Sequence, residues 1–191
     1  GGLVVDATGK ANVDQFLALL DLPAQDWMDG VTDWTAKVAV NGDDTAVIVD
    51  STLVGISSNL PQPLNKNAGI AWPLHVVRKT PAKGQEQYDV TLGKEIRAVF
   101  LRAQDSKGTL RLRKATLAMN TDANLQVKDG IFVTGALDEL DLDLWRSYLR
   151  KVSKPGAATS TAPVTLGLHG FDLTVSKLIA LDKVIGVTRV S

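Results

Sequence analysis

The chain has 191 residues, with 21 basic and 21 acidic side chains and no cysteine. This balance gives no electrostatic case for nucleic-acid binding, and the lack of cysteine excludes disulfides and thiolate metal sites. No stretch approaches the roughly 20 apolar residues that span a bilayer. The start, Gly1-Gly2, shows no signal-peptide pattern. We therefore expect a single fragment, residues 1–191, of a longer protein.

The N-terminal part predicts a short strand and then a helix. Residues 3–5 are apolar and suit the strand. Asn12 can cap the helix, with Gln15 as its capping-box partner, and Pro23 ends it. The apolar stripe of this helix consists of Val13, Phe16, Leu17 and Leu20.

Strand patterns dominate the rest of the chain. Alternating apolar residues with turn residues between them predict hairpins. Where the apolar parity changes at Gly170, we expect a bulge or bend. The predicted strands are 32–40 and 45–53, paired across Asn41-Gly42; 88–92 and 95–102, paired across Gly93-Lys94; 108–117, paired with the strand before it; 131–137; 164–175; and a pair within 178–190.

A second helix follows the strand 131–137. Asp141 can cap it, and its stripe consists of Leu142, Trp145, Leu149 and Val152. The acids Asp138, Glu139, Asp141 and Asp143 could bind a hard cation, but capping and the helix dipole are the favoured interpretation. Because a strand leads into a capped helix twice, the pattern suggests a weak repeat of residues 1–130 and 131–191.

These elements predict a mainly β protein with two short helices, in the α+β class. We expect a strongly curved antiparallel sheet, shaped as a groove or half-barrel. The alternative is an ordinary sheet core that the two helices cover.

Catalysis finds little support in the residue types. The chain has two histidines, His75 and His169, and both lie in strand-like runs. An enzyme would need one of them beside a serine or carboxylate in a cleft. We therefore expect no enzyme, no cofactor and no metal site.

The stretch Leu60-Pro61-Gln62-Pro63-Leu64 carries two prolines two residues apart. Proline fixes φ and removes a backbone donor, so we expect an extended, polyproline-like arm outside the sheet. Such an arm can serve as a rigid crossover between hairpins or as a lip over an apolar surface.

Two passages resemble the YhdP family of AsmA-like proteins, over about residues 32–145. The first passage is a strand that leads into a Leu-Pro-x-Pro-Leu-x-Lys pattern, with the matching residues Ser51, Leu53, Gly55, Leu60, Pro61, Pro63, Leu64 and Lys66. The second passage runs from Gly130 through Gly135 to Leu137-Asp138-Glu139-Leu140-Asp141-Leu142-Asp143-Leu144-Trp145.

The resemblance implies a large Gram-negative envelope protein, periplasmic and anchored in the inner membrane by a helix elsewhere in the parent protein. It implies a role in phospholipid transport between inner and outer membranes and in outer-membrane barrier integrity. The implied partners are phospholipid acyl chains, the rest of the parent protein and a membrane contacted through other segments. The alternative is a structural or protein-interaction β module of the envelope without lipid binding.

An acyl-chain groove requires a continuous apolar face on a curved sheet. Burial of one methylene gains about 0.8 kcal/mol, so a modest patch can hold a lipid tail. The strands offer these residues for the face: Val47, Val49, Ile96, Ala98, Phe100, Leu110, Leu112, Ile131 and Val133.

Overall fold

The computed structural model describes residues 3–15, 27–41, 44–152 and 168–191. Most of the chain is strand, and the strands form one strongly curled open sheet, a half-barrel. The predicted mainly β fold with a curved sheet is thus confirmed. Predictions that fall on 16–26 and 153–167, including most of the first helix, lie outside the described residues.

The strands are defined by the following bounds: β1 Leu3–Asn12, β2 Met28–Asn41, β3 Asp44–Ser51, β4 Ile56–Asn59, β5 Asn65–Lys66, β6 Leu74–Lys79, β7 Gln85–Leu92, β8 Ile96–Gln104, β9 Leu110–Met119, β10 Gly130–Asp141, β11 Leu168–Ala180, β12 Lys183–Ile185 and β13 Thr188–Val190. A helix, Leu142–Val152, follows β10 directly. Within the described ranges, no helix has the length and apolar character that a bilayer crossing requires.

The sheet order is β12-β11-β10-β9-β8-β7-β6-β3-β2-β4-β5, with β1 added to β2 and β13 added to β11. Neighbouring strands are antiparallel, with one departure from the predicted pattern. Strand β10 runs parallel to both of its neighbours, β9 and β11. A period-two pattern shows which residues share a face, but it carries no information about strand direction.

The parallel pairing of β9 and β10 depends on a return segment between them. Thr116 donates from Oγ1 to the carbonyl oxygen of Asn124 at 2.8 Å. Lys114 donates from Nζ to the carbonyl oxygens of Gln126 and Val127, at 3.1 and 2.7 Å. Both side chains belong to β9. This strand therefore binds the segment that returns the chain to the end of the sheet at which β9 begins.

The predicted hairpins are confirmed. Strands β2 and β3 pair up to Asn41 and Asp44, and β7 and β8 pair up to Leu92 and Ile96. Gly93 has a φ of 62°, a conformation that glycine adopts without cost. Strand β9 pairs with β8, and β12 folds back on β11.

Strand β1 is longer than the predicted residues 3–5, because it pairs with β2 along its whole length to Asn12. The predicted helix cap directly after it is confirmed. The backbone N–H of Asn12 donates to Oε1 of Gln15, and the N–H of Gln15 donates to Oδ1 of Asn12, both at 2.9 Å. Residues 13–15 are helical.

The bulge expected near Gly170 is also present. Ile131 pairs with Leu168, and Phe132 pairs with Gly170, so His169 is the extra residue on β11. A ring carbon of Phe132 would lie 2.5 Å from a Cβ on Gly170, which explains why glycine stands there.

The Leu142–Val152 helix was expected to bury an apolar stripe, and that expectation is wrong for two of its members. Leu142 and Leu149 are exposed, although Trp145 packs against a core cluster. That cluster combines Ile96 and Met119 with residues of β10 and β11. The buried cluster therefore spans four neighbouring strands, β8 to β11, and the helix adds Trp145 to it.

Candidate functional site

All of the predicted groove residues lie on one face of the sheet. Residues directly opposite each other on paired strands project from the same face. One continuous row of such partners crosses the sheet from β1 to β11, and every member of it is apolar: Ala7, Ala36, Val49, Val76, Val90, Ala98, Leu117, Val133 and Phe171. We call this row the apolar row and its side of the sheet the apolar face.

The remaining predicted groove residues lie on either side of the apolar row. Val47, Phe100 and Ile131 belong to the next row on one side, and Ile96 to the next row on the other. Leu112 and Leu110 lie opposite Arg102 and Gln104, beyond a register shift that keeps them on the apolar face.

Burial of these residues is graded. Val49, Ile96 and Ala98 are buried, whereas Val47, Phe100, Leu110, Leu112, Ile131 and Val133 are only half-buried. The middle of the row is packed within the sheet itself, since Val49, Val76 and Tyr88 form a cluster with neighbours from adjacent strands.

Sequence reasoning missed several members of the apolar row. Val76 and Val90 lie on β6 and β7. Val90 alternates with the polar residues Asp89 and Thr91, which was a sufficient signal for its face, whereas Val76 is followed by Val77, so the pattern of β6 does not distinguish its two faces. Leu117 was assigned to a strand but not to the groove.

The opposite face, here called the polar face, carries more polar residues. One row of direct partners there reads Thr35, Asp50, His75, Thr91 and Arg97, and the next row includes the apolar residues Ile48, Val77 and Val99. Nδ1 of His75 lies 2.6 Å from Oδ1 of Asp50, and both side chains are about half exposed.

A polar cleft of about 390 Å³ opens on the polar face near β9 to β11. Asp172 and Arg189 form a two-pronged ion pair at its side, with both distances 2.7 Å. The hydrogen bond from Arg189 lowers the pKa of Asp172. The cleft belongs to the opposite side of the sheet from the apolar row.

One prediction is wrong for residues 51–66, here called the proline segment. They do not form an extended arm. Strands β4 and β5 pair antiparallel, and the N–H of Leu64 donates to the carbonyl oxygen of Pro61 at 3.0 Å. The two prolines therefore lie in a tight turn, with the Gln62–Pro63 peptide bond cis.

The proline segment folds across one end of the apolar face. Leu53 and Ile56 form a buried cluster with Val13, and Leu74 and Leu92 pack against it. Leu74 and Leu92 are direct cross-strand partners on that face. Leu60 is buried, and Leu64 packs against the cluster that contains Ile96. Of the two readings of this segment, a lip over an apolar surface therefore fits best.

Polar members of the family-like motif hold this lip in place. Ser51 donates from Oγ to the carbonyl oxygen of Asp33 at 2.7 Å and accepts from the N–H of Leu53 at 3.0 Å. Lys66 is only 7% exposed and donates from Nζ to the carbonyl oxygens of Leu53 and Ile56, at 2.8 and 2.7 Å. Burial lowers the pKa of the Lys66 ammonium.

Gly55 of the motif is needed at a close approach of two backbones. Its φ is 97°, and a Cβ built there would lie 2.0 Å from the carbonyl oxygen of Val31. Gly30, on the paired strand β2, has a φ of 119°, and a Cβ there would meet the carbonyl oxygen of Gly55 at the same distance. The segment can approach β2 this closely only because both positions lack side chains.

The opposite end of the apolar face carries charge. Arg78, Glu86, Tyr88 and Arg102, here called the charged cluster, lie on β6, β7 and β8. Register places Arg78 opposite Tyr88, Glu86 opposite Arg102 and Tyr88 opposite Phe100, so all four share the apolar face.

Glu86 is the centre of the charged cluster. Its Oε1 accepts a hydrogen bond from Arg78, and its Oε2 lies 3.0 Å from the Tyr88 hydroxyl and 3.3 Å from Nη1 of Arg102. Burial alone would raise the pKa of Glu86, but hydrogen bonds from Arg78 and Tyr88 and the two positive charges lower it overall. Burial and the nearby carboxylate raise the pKa of Tyr88.

The acidic residues around the second helix act in capping and pairing. Oδ1 of Asp141 accepts from the N–H of Leu144 at 2.8 Å, which confirms the predicted cap. Asp143 accepts from the N–H of Asp182 at 3.0 Å, and such backbone bonds lower its pKa. Glu139 pairs with Lys177 at 2.6 Å. Among the described residues, no three histidine or acidic side chains are grouped as metal ligands.

A comparison with models of protein families identifies the family of the chain. A family model described as YhdP protein matches residues 1–188, nearly the whole chain. No curated protein and no solved structure matches the chain significantly.

Proposed function

This chain belongs to the YhdP family, and on that premise we propose that its apolar face holds the acyl chains of phospholipids. Membership indicates an AsmA-like envelope protein. In the proposed setting the chain is one segment of a periplasmic, inner-membrane-anchored protein that moves phospholipid between the two membranes and so maintains the outer-membrane barrier.

The apolar row is the observation that carries the proposal. It crosses the curled sheet from β1 to β11 without a polar residue. A sheet that only needed a core would be covered there by a second layer. Among the residues that the structure describes, the Leu142–Val152 helix does not form a complete second layer, because Leu142, Leu144 and Leu149 are exposed.

Site-specific photocrosslinking in cells tests this function. A photoreactive residue at Val47, Phe100 or Val133 should capture phospholipid, because these side chains are half-buried on the apolar face. Val77 provides the matched control, since it is also half-buried but projects from the polar face of β6. Equal capture at Val77 and Phe100, or none at any apolar-face site in folded protein, would contradict the proposal.

A protein-interaction module without lipid binding remains the second candidate. Its support is strand β1, where Leu3, Val4 and Val5 are 61%, 58% and 46% exposed. Apolar residues on a strand at a sheet edge favour pairing with another chain. Crosslinks from Val4 to a defined envelope protein, with no lipid adduct at Phe100, would favour this candidate over lipid binding.

A further inference from the structure

The polar cleft is a feature of the molecule that acyl-chain binding does not explain. Its volume of about 390 Å³ lies within the range of small-molecule sites. Its floor is the polar face of β9, β10 and β11, which contributes Thr116, Thr134 and Thr174. Because the apolar row lies on the other side of the sheet, a ligand in this cleft would not compete with an acyl chain.

One wall of the cleft is the return segment between β9 and β10, residues 120–129. Asn120 fixes the start of this segment, since its Nδ2 donates to the carbonyl oxygen of Ala136 at 3.0 Å. The middle is fixed where the carbonyl oxygen of Asn124 accepts from Oγ1 of Thr116 at 2.8 Å. A loop that is fastened to a rigid sheet in this way is a common position for binding side chains.

The charged side chains that line the cleft are paired. On the side of β13, Arg189 donates two hydrogen bonds of 2.7 Å to Asp172. On the return segment, Oδ1 of Asp122 lies 3.8 Å from Nε of Arg97. Each of these charges therefore faces an opposite charge, so the cleft favours a neutral ligand over an ion.

Several polar groups of the cleft are available to a ligand. In the part of the chain that the structure describes, no hydrogen bond engages the side chains of Thr121, Asn124, Thr134 and Thr174. A hydroxyl group both donates and accepts, and a carboxamide does so with separate atoms. Every side chain that lines the cleft is polar, so an apolar ligand would lose its own hydration without gaining contacts. A ring that carries several neighbouring hydroxyl groups matches this set of donors and acceptors.

We propose that the polar cleft binds a neutral saccharide, with Thr134 and Thr174 on the floor and Asn124 on the return segment as its hydrogen-bond partners. The sugar hydroxyls replace the water that these side chains bind in the free protein. The ligand is a free sugar or one unit of a longer glycan, since both present the same ring hydroxyls. This site goes beyond the proposed lipid-binding function and does not depend on it, because the two lie on opposite faces.

The test records amide NMR spectra of the purified intact chain during titration with neutral sugars. The probes are glucose, N-acetylglucosamine and the disaccharides maltose and N,N′-diacetylchitobiose, with glycerol as a control that has hydroxyls and no ring. We expect at least one sugar to cause saturable shifts at residues 120–126, Thr134 and Thr174, and glycerol to cause none. Absence of such shifts with every sugar, or an equal response to glycerol, would overturn the proposal.

Variants locate the binding groups. Thr134→Val and Asn124→Ala should each weaken sugar binding about three- to tenfold, which corresponds to the loss of one hydrogen bond. Thr91→Val is the matched control, because Thr91 is also a half-buried threonine of the polar face but lies on β7, outside the cleft. Unchanged binding in both cleft variants, or equal weakening by Thr91→Val, would contradict the proposed site.

Further titrations identify the source and the class of the ligand. Tighter binding of a disaccharide than of its monosaccharide would support a glycan as the ligand, and equal binding would support a free sugar. Shifts at the same amides with calcium chloride, without a response to any sugar, would overturn the saccharide site in favour of a cation site at Asp122. Thr134→Val should leave lipid capture at Phe100 unchanged, so failure of lipid capture would overturn the proposed function and leave this site intact.

Discussion

The indole nitrogen of Trp145 donates a hydrogen bond of 3.0 Å to the backbone carbonyl oxygen of Gln62, a residue 83 positions earlier. Gln62 lies in the turn of the proline segment, and Trp145 lies in the helix after β10. The two passages that resemble the family motif are therefore in direct contact. This contact fastens the proline segment to the helix that follows β10.

Loss of this hydrogen bond should destabilise the fold. Trp145→Phe keeps an aromatic ring but removes the donor, so we expect the free energy of unfolding to fall by about 1 kcal/mol. Gln62→Ala leaves the accepting backbone carbonyl in place and should change stability by less than about 0.5 kcal/mol. Urea unfolding measures the free energy of unfolding of both variants. Equal values for the two would contradict a stabilising role of the hydrogen bond between Trp145 and Gln62.

Gly55 should be among the least replaceable residues of the chain. Gly55→Ala would place a Cβ 2.0 Å from the carbonyl oxygen of Val31 at a positive φ, so we expect a loss above about 3 kcal/mol or failure to fold. Gly69→Ala is the matched control, because a Cβ there meets nothing within 4 Å. A change in melting temperature of similar size in both variants would show that the close approach of Gly55 to Val31 tolerates a side chain.

The Lys66 ammonium should stabilise the proline segment through its carbonyl contacts. Lys66→Met keeps an apolar stem but leaves the carbonyl oxygens of Leu53 and Ile56 without this donor. We expect a loss of about 1–3 kcal/mol in the free energy of unfolding. Lys94→Met, at an exposed position, should be neutral. A Lys66→Met variant with the same free energy of unfolding as the wild type would contradict this role.

The charged cluster should make stability depend on acid. The pKa of Glu86 is lower in the folded chain than in the unfolded chain. Its ionised form therefore contributes stability above the unfolded pKa, and the contribution is lost as pH falls through the folded pKa, below about 4.5. The stability gap between wild type and Glu86→Gln should narrow between pH 7 and pH 3. A stability gap that stays constant over this pH range would contradict stabilisation by the ionised Glu86 carboxylate.

Local pattern determined much of the candidate site. Alternation along β3, β8 and β10 is a property of each strand by itself, because successive side chains point to opposite faces. It therefore sufficed to place Val49, Ala98 and Val133 on one face. Capping by Asn12 and Asp141 was predictable for the same reason, since both contacts span only three residues.

Tertiary structure alone decided how the faces were assembled. The direction of β10, the turn at Pro61 and the contact of Trp145 with Gln62 depend on segments distant in the chain. The charged cluster was equally hidden, because it combines residues of three strands and exists only in one pairing register. Register is set by pairing across the whole sheet, so a period-two pattern can predict an apolar face but not the ion network at its end.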